Sequence, residues 1–476
     1  MLNTSLPAWT QSLTDSLHAM ADSLRQRLVP LSFPERIYLP EDETGFDSTH
    51  ATPFIQRAID RAAESGGIVR LTEGDYVSGT LVLRSHVCLE IQKHARLLGS
   101  TDLTDYPEHH ARVLTVQDTS MGMHQSLLFA EDCCHISLRG EGEIDMRGTP
   151  DHFPGDETAQ GTPGRPFMLR FLDCRDIHVA GLTFRNAACW MQNYLHCENL
   201  LIENLSVSNH ANYNNDGMDI DGCRNVWVHD CCIHSGDDAL CFKGASMQDT
   251  ENVLIERCTL FSACNAVKIG TDTQGSFRNI LVRDCVIGGL AHDPSGLKHA
   301  YADSGISLES VDGGTVEDMA FENITMERAW SPLFLRIDDR ARTRPGDPRP
   351  GIGCIRRILF SDIRGTDCGP RGSYFLGYPG GCIQDIALSD VWLHQHAWKA
   401  APPSPDFPDL HLVYPDAHMI DPYGASPAYG LYARHVSALS LVRVLVLAEE
   451  GETRERFLMD PSVTWHLQTD TESRIG

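Results

Sequence analysis

The sequence predicts an all-β chain wound as a parallel β-solenoid behind an N-terminal capping helix. Three observations carry this. A turn residue, Asn or Asp, followed by alternating apolar residues recurs along the chain. Its spacing falls in the twenties, the period of a β-solenoid coil rather than of most helical repeats. Cys231, Cys258 and Cys285 then repeat at intervals of 27, as inward residues stacked one coil apart would.

The recurring phrase can be followed in order. It reads Asp176-Ile177-His178-Val179, then Asn199-Leu200-Leu201-Ile202, Asn225-Val226-Trp227-Val228, Asn252-Val253-Leu254-Ile255 and Asn279-Ile280-Leu281-Val282. Asp318-Met319-Ala320-Phe321, Arg357-Ile358-Leu359-Phe360 and Asp385-Ile386-Ala387-Leu388 continue it. Asn199 to Asn225 is 26 residues, and the next two intervals are 27 each. Longer intervals carry insertions such as Asp293-Pro294-Ser295-Gly296. Each coil is expected to hold about three short strands, with a period-2 alternation of inward and outward side chains. The three spaced cysteines read as a core ladder, since buried free cysteine behaves as a small hydrophobe.

The N-terminal part differs. Trp9, Leu13, Leu17, Met20, Leu24 and Leu28 recur at three- and four-residue spacings, which predicts an amphipathic helix packed over an end of the fold. A second helix is expected over residues 52–63, with Thr52 as N-cap, Pro53 in its first position and Gly66-Gly67 ending it. It would cap the first coil and protect an open sheet edge. Strands are expected at 68–71, 80–83, 87–91 and 95–98. The resulting organisation is a helical capping segment at 1–36, a single solenoid domain over 37–450 and a C-terminal tail at 451–476.

Composition narrows the functions. The chain has 476 residues and a net charge of -26. Such acidity argues against nucleic acid, whose binding begins with neutralising phosphates. No run of 18 apolar residues occurs, so no membrane span is expected. Residues 1–24 lack Lys and Arg and do not read as a secretory signal, so a cytoplasmic location with reduced thiols is expected for the 16 cysteines. No CxxC pair occurs, and neither a metal site nor a cofactor is predicted. Oligomeric state is left open.

Carboxylates concentrate in two adjacent coils. Asn214-Asn215-Asp216-Gly217-Met218-Asp219-Ile220-Asp221 lies in one, and Ser235-Gly236-Asp237-Asp238 in the next. Asp216 precedes Asp237 by 21 residues and Asp238 by 22. With coils about 4.8 Å apart, these groups gather on one patch. A solvated acidic turn or a Ca²⁺ site is the bland reading. The sharper one is glycoside hydrolysis, which needs one protonated carboxyl to protonate the leaving oxygen and an ionised one to activate water or attack carbon. Crowded carboxylates raise one another's pKa and so supply that difference.

These motifs resemble glycoside hydrolase family 28, the polygalacturonases and their relatives. The family's Asn-Thr-Asp and Gly-Asp-Asp are similar to Asn214-Asn215-Asp216 and Gly236-Asp237-Asp238, at the same separation. Asn186-Ala187-Ala188-Cys189-Trp190 resembles its Asn-Ser-Pro-Phe-Trp. The resemblance runs from about residue 46 to about 436. It implies a right-handed parallel β-helix and single-displacement hydrolysis with inversion, with Asp237 as general acid and Asp216 and Asp238 holding and deprotonating the water. Two positions depart. Asn265 stands near the family's histidine, and Arg336-Ile337-Asp338 replaces Arg-Ile-Lys. An Asp at 338 would repel a galacturonate carboxylate, while Lys268, turned outward between Val267 and Ile269, would partly compensate. Asn214, Asn265, Lys268, Arg336, Asp219 and Trp190 are the candidate substrate-binding residues. Trp190 reads equally as a sugar platform or as core, and Lys268 equally as a surface lysine.

The expected function is an inverting, exo-acting hydrolase of galacturonate- or rhamnose-containing, pectin-derived oligosaccharides. Insertions around 143–167 and 288–303 would wall off one end of a cleft. A polysaccharide lyase or a non-catalytic carbohydrate-binding solenoid are the competing readings, which fold alone does not separate.

Overall fold

The computed structural model describes residues 6–112, 115–116, 124–155, 164–292, 300–344, 346–400, 415–417 and 425–468. The chain forms two compact units. One comprises Ser23–Val253 and Asp293–Lys298; the other comprises Met1–Asp22, Leu254–His292 and His299–Gly476.

Two helices precede the strands. The first, α1 (Ala8–Arg27), buries Leu13, Leu17, Ala21 and Leu24 along the predicted stripe. His18 Nε2 lies 2.8 Å from Glu322, on a strand with a partner on each side. The middle of α1 therefore packs along the coils rather than over an end. The second helix, α2 (Thr52–Ala63), buries Ile55, Ala58, Ile59 and Ala62. Its N-cap is Ala51, not Thr52. The Thr52 hydroxyl accepts instead from the Gly79 N–H at 2.8 Å, and so fastens the helix to the first coil.

In the first unit the coils from Ser126 onward have three strands each, whereas the earlier ones run as the long strands Gly67–Ser78 and Val87–Gly99. Phe167–Leu172, Arg175–Ala180 and Thr183–Arg185 form one. Gln192–Leu195, Glu198–Glu203 and Ser206–Asn209 form the next. Met218–Asp221, Arg224–His229 and Cys232–Ser235 follow, and then Leu240–Gly244. Every strand pairs in parallel with its counterpart one coil later, for example Leu200 with Val226 and Val207 with Ile233. The strands expected at 87–91 and 95–98 are one strand, Val87–Gly99.

The recurring Asn and Asp now have a physical reason. Asp176, Asn199, Asn225 and Asn252 all have φ between 54° and 59°. This left-handed region is tolerated by Asn and Asp and costs most other residues. Their side chains also form a ladder. Asn199 donates to Asp176 at 2.9 Å, Asn225 to Asn199 at 3.2 Å and Asn252 to Asn225 at 3.3 Å. Each bond contributes about 1 kcal/mol and pins the register of successive coils.

In the second unit the last two strands of each coil fuse. Phe277–Gly288, Thr315–Glu327, Cys354–Cys368, Cys382–Gln395 and Val436–Ala448 stack in parallel. The opposite sheet runs through Asn265–Thr273, Ala302–Ser310, Ala329–Ile337, Ser373–Leu376 and Ala428–Arg434. Asn279, Asp318, Arg357 and Asp385 keep the same positive φ. Arg357 substitutes for an amide by reaching Asp318 at 2.6 Å. Cys231, Cys258 and Cys285 are each 2% exposed, as the core-ladder reading requires.

The described part of the segment set apart as a tail holds two strands of the coil. Glu455–Met459 pairs with Ala428–Arg434, and Trp465–Gln468 pairs with Val436–Ala448. The coil thus continues at least to Gln468, and its short strands lacked the turn phrase by which the others were found.

Candidate active site

The candidate carboxylates sit where two parallel strands begin. Asp219 pairs with Cys241 and Asp221 with Lys243, while Met218, Ile220, Leu240 and Phe242 fill the core. Tight turns deliver Asp216, Asp237 and Asp238 just ahead of these strands. A glycine closes each turn, and backbone crowding requires it at Gly217. A Cβ on Gly217 would lie 2.4 Å from Ile233 and 2.7 Å from the Ala239 carbonyl, and one on Gly236 would lie 2.7 Å from the Asn215 amide.

A buried asparagine anchors the first turn. Asn209 Nδ2 donates to the carbonyls of Cys189 at 3.0 Å and Asp216 at 2.9 Å. Its Oδ1 accepts from the Ala187 N–H at 3.0 Å. Asn214, at φ 51°, is held from the other side, its Oδ1 accepting from Arg165 at 2.8 Å. Backbone bonds from Gly217 to the Asp238 carbonyl and from Met218 to the Ala239 carbonyl tie the two turns together.

Burial separates the carboxylates. Asp216, Asp219 and Asp238 are no more than 3% exposed, whereas Asp237 is more accessible. Asp237 receives the Asp238 N–H on its Oδ1 at 3.0 Å. Burial, reinforced by Asp219, Asp237 and Asp238, drives the Asp216 carboxyl well above the usual carboxylate range. Burial pushes Asp219 up to about 7, against the opposing pull of Lys243.

Lys243 stands among these carboxylates, and the sequence reading did not single it out. Its Nζ lies 3.3 Å from Asp219 and 3.5 Å from Asp216. It stands 4.3 Å above the centre of the Trp190 ring. Trp190, 7% exposed, packs with Phe167 and Cys189, so one face carries the ammonium and the ring is set into the core. Burial opposes the charge on Lys243, but the Cys241 sulfur and Asp219, Asp216 and Asp238 around it hold it protonated. The signal was parity: Lys243 is outward by the same alternation that turns Asp219 and Asp221 outward.

The remaining candidates lie in the second unit. Asn265 is fully buried, accepting from the Ser304 hydroxyl at 2.6 Å and donating to Asp416 at 3.3 Å. Lys268 does project between Val267 and Ile269, but it is 4% exposed because it forms an ion pair with Asp416. Arg336, 2% exposed, donates to Asp338 at 2.5 Å. Asp416, on the short segment 415–417, had no sequence signal, since 148 residues separate it from Lys268. The insertions at 143–167 and 288–303 lie partly outside the described residues.

Comparison with known proteins identifies the family. The sequence model of glycosyl hydrolases family 28 matches residues 84–401. A probable polygalacturonase from Vitis vinifera is 26% identical over 74% of this chain and 72% of its own length. An exo-poly-alpha-D-galacturonosidase from Dickeya chrysanthemi is 23% identical over 51% of this chain and 48% of its own. Among solved structures, a hyperthermoactive exopolygalacturonase from Thermotoga maritima superposes with a TM-score of 0.67 at 18% identity, covering 89% of this chain and 96% of that one. A family 28 exopolygalacturonase from Yersinia enterocolitica gives 0.64 at 16% identity, over 92% and 79%. The chain is a glycosyl hydrolase belonging to glycosyl hydrolases family 28.

Proposed function

We propose that this enzyme hydrolyses galacturonate- or rhamnose-containing, pectin-derived oligosaccharides from one end, with inversion. The carrying observation is the group formed by Asp216, Asp219, Asp237 and Asp238, whose members sit in unequal environments. Asp237, the more accessible, protonates the glycosidic oxygen. Asp216 and Asp238 orient a water and take its proton as its oxygen attacks the anomeric carbon, so acid and base exchange roles by turnover's end. Asn214, held by Arg165, lines the sugar side. The coil is read as right-handed, the sense that parallel crossovers adopt almost without exception.

Two internal ion pairs support a substrate with few carboxylates. Arg336 is engaged by Asp338 and Lys268 by Asp416, so an incoming uronate must compete with resident carboxylates for either cation. Exo-action rests on the exopolygalacturonases among the relatives and on the insertions. The test is a panel of neutral, mixed and uronate oligosaccharides, with product size followed over time. Release of single terminal units from mixed or rhamnose-bearing substrates supports the reading. Random internal cleavage of polygalacturonan contradicts it.

A further inference from the structure

The hydrolysis just proposed leaves one buried cation without a part. Lys243 is 6% exposed, and it lies on the outward face of Leu240–Gly244, between two carboxylates and an indole. A lysine seldom gives up bulk water without a task or a partner. Here the partners are themselves destabilised by one another, because Asp216 faces Asp219 from the strand that follows it and Asp237 and Asp238 from the next turn.

We propose that Lys243 is a positioning residue: its ammonium, seated on Trp190, keeps Asp216 ionised and fixed so that Asp216 acts as the water-activating base. The inference rests on the assignment of Asp216 above, and it adds the group that makes the assignment workable. A base buried among three other carboxylates takes up a proton and stops working. An opposite charge within about 4–6 Å works against this, because it favours the ionised form by about one to three pH units. At 3.5 Å Lys243 meets that condition for Asp216, and at 3.3 Å for Asp219. Coulombic attraction is largest where water is excluded, and both carboxylates are buried.

The rest of the surroundings fits this role. Trp190 offers a π-face 4.3 Å from the ammonium, which attracts a cation without supplying a competing charge. The Lys243 Nζ also lies 3.3 Å from the Cys241 sulfur. Cys189, behind Asp216, is pushed up to about 12 by burial and therefore stays a neutral thiol. Arg165 faces Cys189 and also donates to Asn214. The arrangement is thus a charge triad of Asp216, Lys243 and Asp219 on a tryptophan floor, with Asp237 and Asp238 at its rim.

The test uses the ligand-free protein first. The carboxyl infrared bands are titrated in wild type, Lys243→Met, Lys243→Arg, Asp219→Asn and Asp216→Asn, the last identifying the Asp216 signal by its loss. Lys243→Met is expected to move the Asp216 midpoint up by about one to three pH units, Lys243→Arg to return it most of the way, and Asp219→Asn to move it down. An oligosaccharide that the wild type turns over is then used for kcat/KM against pH. The acid limb should move up in Lys243→Met by the same amount, with the plateau reached at higher pH. Should Lys243→Met not fold, Lys243→Arg and Asp219→Asn still carry the opposite-sign shifts. An unmoved Asp216 midpoint, or activity lost equally at every pH, overturns the proposal and leaves Lys243 a structural residue. If instead Asp216→Asn retains wild-type turnover, the assignment of Asp216 fails, whatever Lys243 does to the midpoint.

Discussion

Asn209 gives the most quantitative prediction. It is fully buried, and its amide joins three backbone groups: the Ala187 N–H and the carbonyls of Cys189 and Asp216. Asn209→Leu keeps the volume and leaves the Ala187 N–H and the Cys189 carbonyl without a hydrogen-bond partner, while the Asp216 carbonyl keeps the Met191 N–H at 3.0 Å. A buried backbone group orphaned in this way costs about 1–3 kcal/mol. Partial relaxation of the chain brings the sum for the two to about 2–4 kcal/mol, toward the upper end of what single substitutions do. The same change removes one of the two bonds that hold the Asp216 carbonyl, and a shift of about 1 Å at a reacting group can lower turnover about 100-fold. Guanidinium unfolding followed by circular dichroism, together with activity per folded molecule, measures both. The reasoning is refuted if the variant lies within about 1 kcal/mol of wild type, or if it is destabilised but turns over normally once folded.

Further outcomes follow from other sites. Gly217→Ala drives a Cβ against the Ala239 carbonyl, whereas Gly236→Ala meets a side-chain amide that can turn away, so the first should lose more stability and activity in parallel thermal melts. Glu452, held down to about 2 by Arg454 and the N–H groups of Trp398 and Arg454 in spite of burial, contributes stability that is complete above its ordinary 4.5 and is lost as pH falls toward 2. Glu452→Gln should remove that acid-sensitive step and cost about 3–5 kcal/mol at neutral pH, because the Arg454 charge stays buried. Burial depresses His178 below 6.5 despite Glu203, so it is neutral in the fold and gains a proton on unfolding. Stability should therefore fall as pH drops below about 6.5, and His178→Gln should flatten that slope in pH-dependent denaturation. Asp338→Asn with Asp416→Asn releases Arg336 and Lys268. Its KM for uronate oligosaccharides should fall about tenfold, while an unchanged KM would show that neither pair governs substrate charge.

What could be read in advance was what repeats. The asparagine phrase encodes a left-handed turn plus an inward strand, and both are local, so one strand reports on all its copies. The catalytic candidates were legible for the same reason: Asp216, Asp237 and Asp238 lie within one coil of each other and sit beside the turn glycines Gly217 and Gly236. Lys243 was hidden because a lone lysine in Leu-Cys-Phe-Lys-Gly looks like a surface residue until register places it opposite Asp221. Arg165 and Asp416 were hidden because their partners lie 49 and 148 residues away, across connections with no repeat. The N-cap error at Thr52 is of another kind. Thr52 has the right chemistry for a cap, but its hydroxyl is used by Gly79, just beyond the strand Gly67–Ser78, so tertiary contact overrode the local rule.

The most direct test of the account is the anomeric configuration of the first product, followed by NMR in wild type and in Asp237→Asn. Inverted product from wild type, with turnover reduced by orders of magnitude in Asp237→Asn, is the predicted result. Retained configuration, an unsaturated ultraviolet-absorbing product, or full activity in Asp237→Asn would each contradict it.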